Sequence, residues 1–417
     1  MATQFSIKDG KPWKISFFTI WGGQALSLLG SQLVQFALIW YLTVETSSAT
    51  VLATASLVGL LPYVAFGPII GTLVDRWDRR KVMLIADSIV ALVTVLLAFL
   101  FTTGQTAIWH IYLVMFIRSL SGGFHGNAMS ASTALMVPVE HLTRIQGINQ
   151  MLNGGLNVIS APLGALLLSI LPLQGILAVD VITAAFAIIP LFFITVPQPE
   201  RIVRKLDQRE EHPSVWHDFK DGLNYVASWP GLLMLGLMAI VINFLLTPAG
   251  SLLPLLVKDY FGGGAVELGW VNSASGIGVI VGGLALGVWG GFKRKILTTL
   301  LGLFGLGAGV LVLALAPSTN FFWAVIAALI YGVMQPITNG PIGAIMQSTV
   351  TPDMQARAGS LLGSLAGGMA PIGLLIAGPI SDFVSIQAWF FIGGVLCIFM
   401  AVLGLFLPAL MNIEEGG

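Results

Sequence analysis

Four ionisable side chains fall inside long apolar runs of the sequence: Asp87, Arg118, His125 and Asp180. A charge at bilayer depth is costly, so such groups face a cavity or a partner and mark ion or substrate pathways. Arg118, Asp180 and Asp87 are therefore candidates for proton coupling, with the cation controlling whether a carboxylate holds its proton. Each also has a structural reading. Arg118 could be satisfied by carbonyls and hydroxyls, and Asp180 could be a hydrogen-bonded packing residue. Asp87, six residues past Lys81, could reach back toward a basic link. His125 suits either packing or a cavity wall. Hydrolytic, phosphate-cradling or metal-ligand groupings are missing from the pattern, and Cys397 is the single cysteine. The sequence thus predicts no enzyme activity, no cofactor and no metal.

Polar residues recur on single helical faces. Gln24, Ser27, Ser31 and Gln35 form one stripe, and Arg118, Ser121, His125, Met129 and Ser132 another. Gln146, Gln150, Asn153 and Asn157 make a third; Asn243, Thr247 and Ser251 a fourth; Tyr331, Gln335, Thr338 and Asn339 a fifth. Interhelical hydrogen bonding could account for any one of them. Together they predict a water-accessible cavity rich in amides and hydroxyls. Its candidate lining is Gln24, Ser31, Gln35, His125, Met129, Gln150, Asn153, Asn157, Asn243, Thr247, Tyr331, Gln335 and Asn339. Such a wall suits a large, mainly apolar ligand.

The elements that must hold these residues follow from composition. The 417 residues are 56% hydrophobic and only 9% charged, with formal net charge zero, whereas soluble domains carry about 25% charged residues. Mean hydropathy is +0.91. Apolar runs long enough to cross a hydrocarbon core recur throughout, and the alternation of a membrane barrel is missing. Neutral charge argues against nucleic acid as a partner. Twelve spans are expected at about 14–43, 49–74, 82–103, 108–136, 144–170 and 174–196, then 230–257, 265–289, 296–316, 320–349, 355–383 and 386–410. The polar stretch 197–229 between them reads as a cytoplasmic linker with an amphipathic helix. Domains are accordingly expected at 1–196, 197–229 and 230–417. If both termini are cytoplasmic, the inner segments hold nearly all Lys and Arg and the outer loops hold only Lys258, as topology requires.

The chain also repeats itself. Glu140 and Arg144 recur as Asp353 and Arg357 at an offset of 213 residues, "RRK" at 79–81 recurs as "KRK" at 293–295, and "SAPLG" echoes as "MAPIG". Six helices repeated in one chain is a build of secondary transporters.

The densest charge lies in "GTLVDRWDRRK", Gly71–Lys81. It resembles the loop signature between helices 2 and 3 of the major facilitator superfamily, G-x-L-x-D-R-x-G-R-R-K, with Asp78 in place of the glycine. An aspartate tolerates a left-handed turn position, so the turn is expected to survive. "RSLSGGFHGNA" is similar to the superfamily's helix-4 motif through Arg118 and Gly122, while the helix-5 antiporter motif is only partly matched by Ala161-Pro162 and Gly164. Over nearly its whole length the chain resembles the macrolide-efflux branch of bacterial facilitators. That resemblance implies an all-α polytopic fold of twelve transmembrane helices, in two six-helix bundles related by a pseudo-two-fold axis. It also implies a conformational gate at Gly71, Asp75, Arg76, Arg79, Arg80, Glu140, Arg144, Asp353 and Arg357, with Asp75 meeting Arg76, Arg79 and Arg144.

The expected function is export of amphipathic, macrolide-like drugs across the bacterial cytoplasmic membrane by alternating access with proton antiport, carried out by a monomer. The partners would be a small amphipathic substrate, protons and the bilayer. A facilitator for an endogenous lipid-like or siderophore metabolite is the alternative. A non-transporting sensor or an intramembrane enzyme is a third reading, opposed by the lack of a catalytic grouping and of an output domain.

Overall fold

The computed structural model describes residues 13–198 and 215–414, and among them no strand occurs. The first six long helices are α1 (Trp13–Thr46), α2 (Ala49–Arg76), α3 (Arg79–Thr102), α4 (Ile108–Met136), α5 (Val139–Ile170) and α6 (Leu173–Phe193). After the shorter α7 (Val215–Ser228) come α8 (Pro230–Leu255), which runs into a π-helical turn at Leu256–Tyr260, α9 (Ala265–Trp289) and α10 (Lys295–Leu315). The chain continues through α11 (Phe322–Thr349), α12 (Pro352–Phe383) and α13 (Ile386–Leu405) to the single turn α14 (Pro408–Met411). The all-helical, multi-pass architecture expected from the sequence is therefore present. Among the described residues eleven helices are long and apolar enough to cross a membrane, α4 not among them; its polar run from Arg118 to Thr133 lowers its hydropathy.

Local chemistry sets the helix ends. Asp78 adopts extended backbone (φ −67°, ψ 112°) and accepts a hydrogen bond from the Lys81 N–H as the N-cap of α3. This corrects the expectation of a left-handed turn position: the carboxylate stops one helix and starts the next by capping. Ser385 caps α13 in the same way, and Gly290 closes α9 in the left-handed region at φ 76°, where a Cβ would be strained. Prolines 162, 190, 248, 336 and 371 sit inside helices, as membrane spans tolerate.

The chain forms two compact units: unit 1 comprises 1–42 and 58–203, and unit 2 comprises 43–57 and 204–417. In unit 1, Phe17, Ile20, Ile70, Met83, Ile145 and Leu191 centre the core. Helix α1 lies tight on α6, because a Cβ at Gly23 would meet the Phe186 carbonyl at 2.2 Å and one at Gly30 would meet Thr183 Oγ1 at 2.1 Å. In unit 2, glycines of α10 bring it onto α11: a Cβ at Gly302 would lie 2.5 Å from the Thr338 N, and one at Gly309 3.0 Å from the Tyr331 N. Small residues at such seams let backbones approach closely. Val226 of α7 packs with Leu232, Val350, Ala358 and Leu361. Residues 199–214 of the expected linker lie outside the described residues.

The turn joining α1 to α2 is held within unit 2 from both ends. Asp382 accepts hydrogen bonds from the N–H groups of Ala49 (2.6 Å) and Thr50 (3.0 Å) and from Ser48 Oγ (3.1 Å). Lys258 Nζ donates to Ser47 Oγ and approaches the Val44 carbonyl at 3.5 Å. An anion thus meets the start of one helix and a cation the end of another, as their dipoles favour.

Candidate functional site

Three helices of unit 1 each present two polar residues seven positions apart: Gln24 and Ser31 on α1, Asp87 and Thr94 on α3, Arg118 and His125 on α4. Seven residues are two turns, about 10 Å of helix, so each pair shares one face. The six side chains sort into two layers. In the first, Arg118 Nη1 lies 2.6 Å from Asp180 Oδ2 and donates to Thr94 Oγ1 at 2.6 Å. Ser31 donates to Asp180 Oδ1 at 3.3 Å, and Thr94 Oγ1 is 3.2 Å from Asp180 Oδ2. Asp180 is 1% exposed. In the second layer, Gln24 Nε2 donates to Asp87 Oδ2 at 3.1 Å, and His125 Nδ1 sits 3.0 Å from Asp87 Oδ1 without hydrogen-bond alignment.

The close seam of α1 on α6 makes the first layer possible, because Gly30 brings Ser31 onto Asp180. Asp180 is the counter-charge for Arg118 that no neighbouring sequence position supplies. Asp87 is buried and turned into the bundle, away from the basic link it could have reached. Two carboxylates thus lie inside an apolar bundle, one paired with a guanidinium and one beside an imidazole and an amide, as charges at that depth require a partner. Among the described residues no group of three metal-ligating side chains occurs.

At the charged link, Arg79 is buried and donates from Nη1 to the Ala131 carbonyl at 3.0 Å. Its Nη2 stands 4.0 Å from Asp75, whose side chain is 74% exposed. Arg80 donates to the Leu191 and Phe192 carbonyls, covering the end of α6. Arg76, Glu140 and Arg144 are exposed and form no ion pair among the described residues. Of the partners expected for Asp75, Arg79 alone forms an ion pair with it among the described residues. Gly71 is half-buried with open space where a Cβ would stand. Arg357 is half-buried, and the side chain of Asp353 lies outside the described residues.

The cavity candidates divide between the units. In unit 1, Gln35, Gln150, Asn153 and Asn157 are exposed, while Met129 packs on the core. In unit 2, Asn243, Thr247, Tyr331, Gln335 and Asn339 come together around a recess of about 230 Å3, joined by Thr299 and Thr338. Thr94 stands singly in an apolar run and Thr299 follows Thr298 at the head of one, so neither continues a polar stripe that the sequence would reveal.

The superfamily model, described as Major Facilitator Superfamily, matches residues 20–371 and again 235–414. The chain belongs to the major facilitator superfamily. This transporter is 36% identical over 390 residues to macrolide efflux protein A of Streptococcus pyogenes, covering 94% of this chain and 95% of that protein. It is 26% identical over 406 residues to the multidrug efflux pump Tap of Mycolicibacterium fortuitum, covering 92% and 94%. Among solved structures it resembles the nucleoside transporter NupG, with a TM-score of 0.69 at 14% identity over 96% of this chain and 100% of that one. A peptide transporter POT superposes with a TM-score of 0.70 at 12% identity, covering 98% and 96%. At such identities the structures speak for the facilitator fold alone.

Proposed function

We propose that this facilitator exports amphipathic, macrolide-like compounds across the bacterial cytoplasmic membrane in exchange for protons, by alternating access. The buried Arg118–Asp180 pair carries the coupling half of this reading. The similarity to macrolide efflux protein A supports the substrate half. A proton arriving from outside neutralises a carboxylate of one polar layer, Asp180 or Asp87. Loss of the negative charge loosens its hold on Arg118 or on Gln24 and His125. Departure of that proton to the cytoplasm restores the contact. Each cycle moves one way for drug and the other for protons.

The link Gly71–Lys81, with Glu140, Arg144, Asp353 and Arg357, serves in this reading as an inner gate on a monomer whose termini are both cytoplasmic. A 4.0 Å pair whose acid is open to solvent, such as Asp75–Arg79, contributes only about 0–1 kcal/mol. Shifting a two-state equilibrium takes no more than a few kcal/mol in total. The test is accumulation of a labelled macrolide in cells overexpressing the protein, with and without an uncoupler. Lower accumulation that the uncoupler abolishes supports the reading; export indifferent to the uncoupler rules out proton exchange.

A further inference from the structure

Unit 2 contains two adjoining, half-open recesses, both largely apolar, of which one is much richer in polar side chains. One, of about 230 Å3, collects Asn243, Thr247, Thr299, Gln335, Thr338 and Asn339. The other, of about 170 Å3, is walled mainly by apolar groups from five helices, among them Leu253 of α8, Val271 of α9, Val310 of α10, Ala328 of α11 and Phe390 of α13, with Asn272 and Ser275 of α9 as polar exceptions. Tyr331 and Leu246 line both, so they form the partition.

The polar recess has hydrogen-bonding capacity left unused. Thr299 is 3% exposed and its hydroxyl has no hydrogen-bond partner among the described residues, although buried polar groups are nearly always paired. The amide nitrogens of Asn243 and Asn339 donate to the carbonyls of Ala239 and Gln335, which leaves their side-chain oxygens as acceptors. Neither recess has a charged residue in its lining. The offset that relates Arg144 to Arg357 also takes Arg118 to Tyr331. Where unit 1 carries a guanidinium, unit 2 carries a neutral phenol.

Size limits what can enter. Drug-sized ligands occupy pockets of about 300–1,000 Å3, so each recess takes a part of one. An apolar cavity of about 150 Å3 accepts a benzene ring, which is the scale of the second recess.

We propose that unit 2 contains a two-part binding site for a neutral amphipathic ligand. A hydroxyl- or carbonyl-bearing part pairs with Thr299, Asn243 and Asn339, and a ring or branched alkyl substituent passes Tyr331 into the apolar recess. The proposal rests on the transport reading above and names the part of the substrate this unit recognises.

The test uses the full chain in lipid nanodiscs and a photoactivatable probe with one ring and one hydroxyl, a trifluoromethyl-diazirinyl benzyl alcohol. Labelling mapped by mass spectrometry is expected at Tyr331, Leu246 and Phe390. Ala328→Leu, which fills the apolar recess, and Thr299→Val, which removes the hydroxyl at constant shape, should each reduce it about fivefold while the protein melts normally. Labelling that lies elsewhere, or is unchanged in both variants, overturns the proposal. Labelling at these residues that excess macrolide does not displace upholds the site and removes the macrolide assignment instead.

Discussion

Asp180 binds Arg118 through one carboxylate oxygen, at 2.6 Å, and Ser31 through the other, at 3.3 Å. The carboxylate therefore joins α1, α4 and α6, and its loss does more than delete a charge. Removing one member of a buried pair typically costs about 3–5 kcal/mol, because the remaining charge is stranded. Asp180→Ala should fold poorly, while the double variant Asp180→Leu with Arg118→Met should recover most of the stability yet fail to couple drug to protons. Cys397, free and buried, offers the readout: a fluorogenic maleimide reports its exposure on heating. A double variant with uncoupler-sensitive export would exclude the pair from coupling.

Asp87 allows a cleaner separation of folding from coupling. Asparagine at 87 preserves an acceptor for Gln24 Nε2, now 3.1 Å from Asp87 Oδ2, but cannot take up a proton. Asp87→Asn is expected to melt within a few degrees of the native protein and to lower drug-driven proton movement at least tenfold in proteoliposomes with an internal pH dye. Undiminished proton movement would leave Asp87 a structural role only.

Much of this arrangement was legible in the sequence, and the reason for the rest is physical. The spans were readable because a hydrocarbon core demands long apolar runs. The stripe Gln24–Ser31 and the Arg118–His125 stripe were readable because helical faces repeat every three or four residues. The pairing between stripes was not. Asp87 meets Gln24 at 63 residues' separation and Asp180 meets Arg118 at 62, and no local pattern encodes which helix lies beside which. The one available signal was a charge argument: two opposite charges buried in one apolar bundle have few partners except each other. Asp78 shows the converse error, in which a motif's glycine suggested a left-handed turn although the aspartate's own capping chemistry settles the backbone.

Asp75 is exposed and its one ion pair among the described residues is with Arg79, at 4.0 Å. Within unit 1 this contact contributes at most about 1 kcal/mol. Asp75→Asn should thus leave the melting temperature unchanged. If the inner gate is real, transport falls severalfold with orientation and expression intact, as measured by initial export rate and by accessibility of a tag on the C-terminus. Full activity in that variant would reduce the acidic residue to a bystander of a topology signal.

The seam of α10 on α11 sets the position of Thr299 and Tyr331, and it has no slack. A Cβ at Gly302 would stand 2.5 Å from the Thr338 backbone N, a contact that no side-chain rotation relieves. Gly302→Val is expected to force the helices apart and to destabilise by about 1–3 kcal/mol, the usual range for overpacking. Thr299→Val acts oppositely, since it removes a buried hydroxyl that has no partner among the described residues; leaving such a group unpaired costs about 1–3 kcal/mol. That variant should melt at or above the native temperature, and a clear drop would mean that Thr299 already has a partner in the folded protein.

The anchored turn between α1 and α2 gives the last test. Asp382 satisfies two of the four backbone donors that open α2, those of Ala49 and Thr50. Replacing a capping side chain by alanine costs about 1 kcal/mol, equivalent to roughly fivefold faster local opening. Asp382→Ala should accelerate hydrogen exchange at 49–52 by about that factor and leave the amides of unit 1 untouched. Gly378 offers an independent wedge, because a Cβ there would lie 2.8 Å from Thr50 Cα, so Gly378→Val should loosen the same segment further. Lys258, the one lysine expected in an outer loop against the topology rule, contacts Ser47 and the Val44 carbonyl. Exchange at 49–52 that ignores both substitutions would show that neither the Asp382 cap nor the close approach at Gly378 holds the turn.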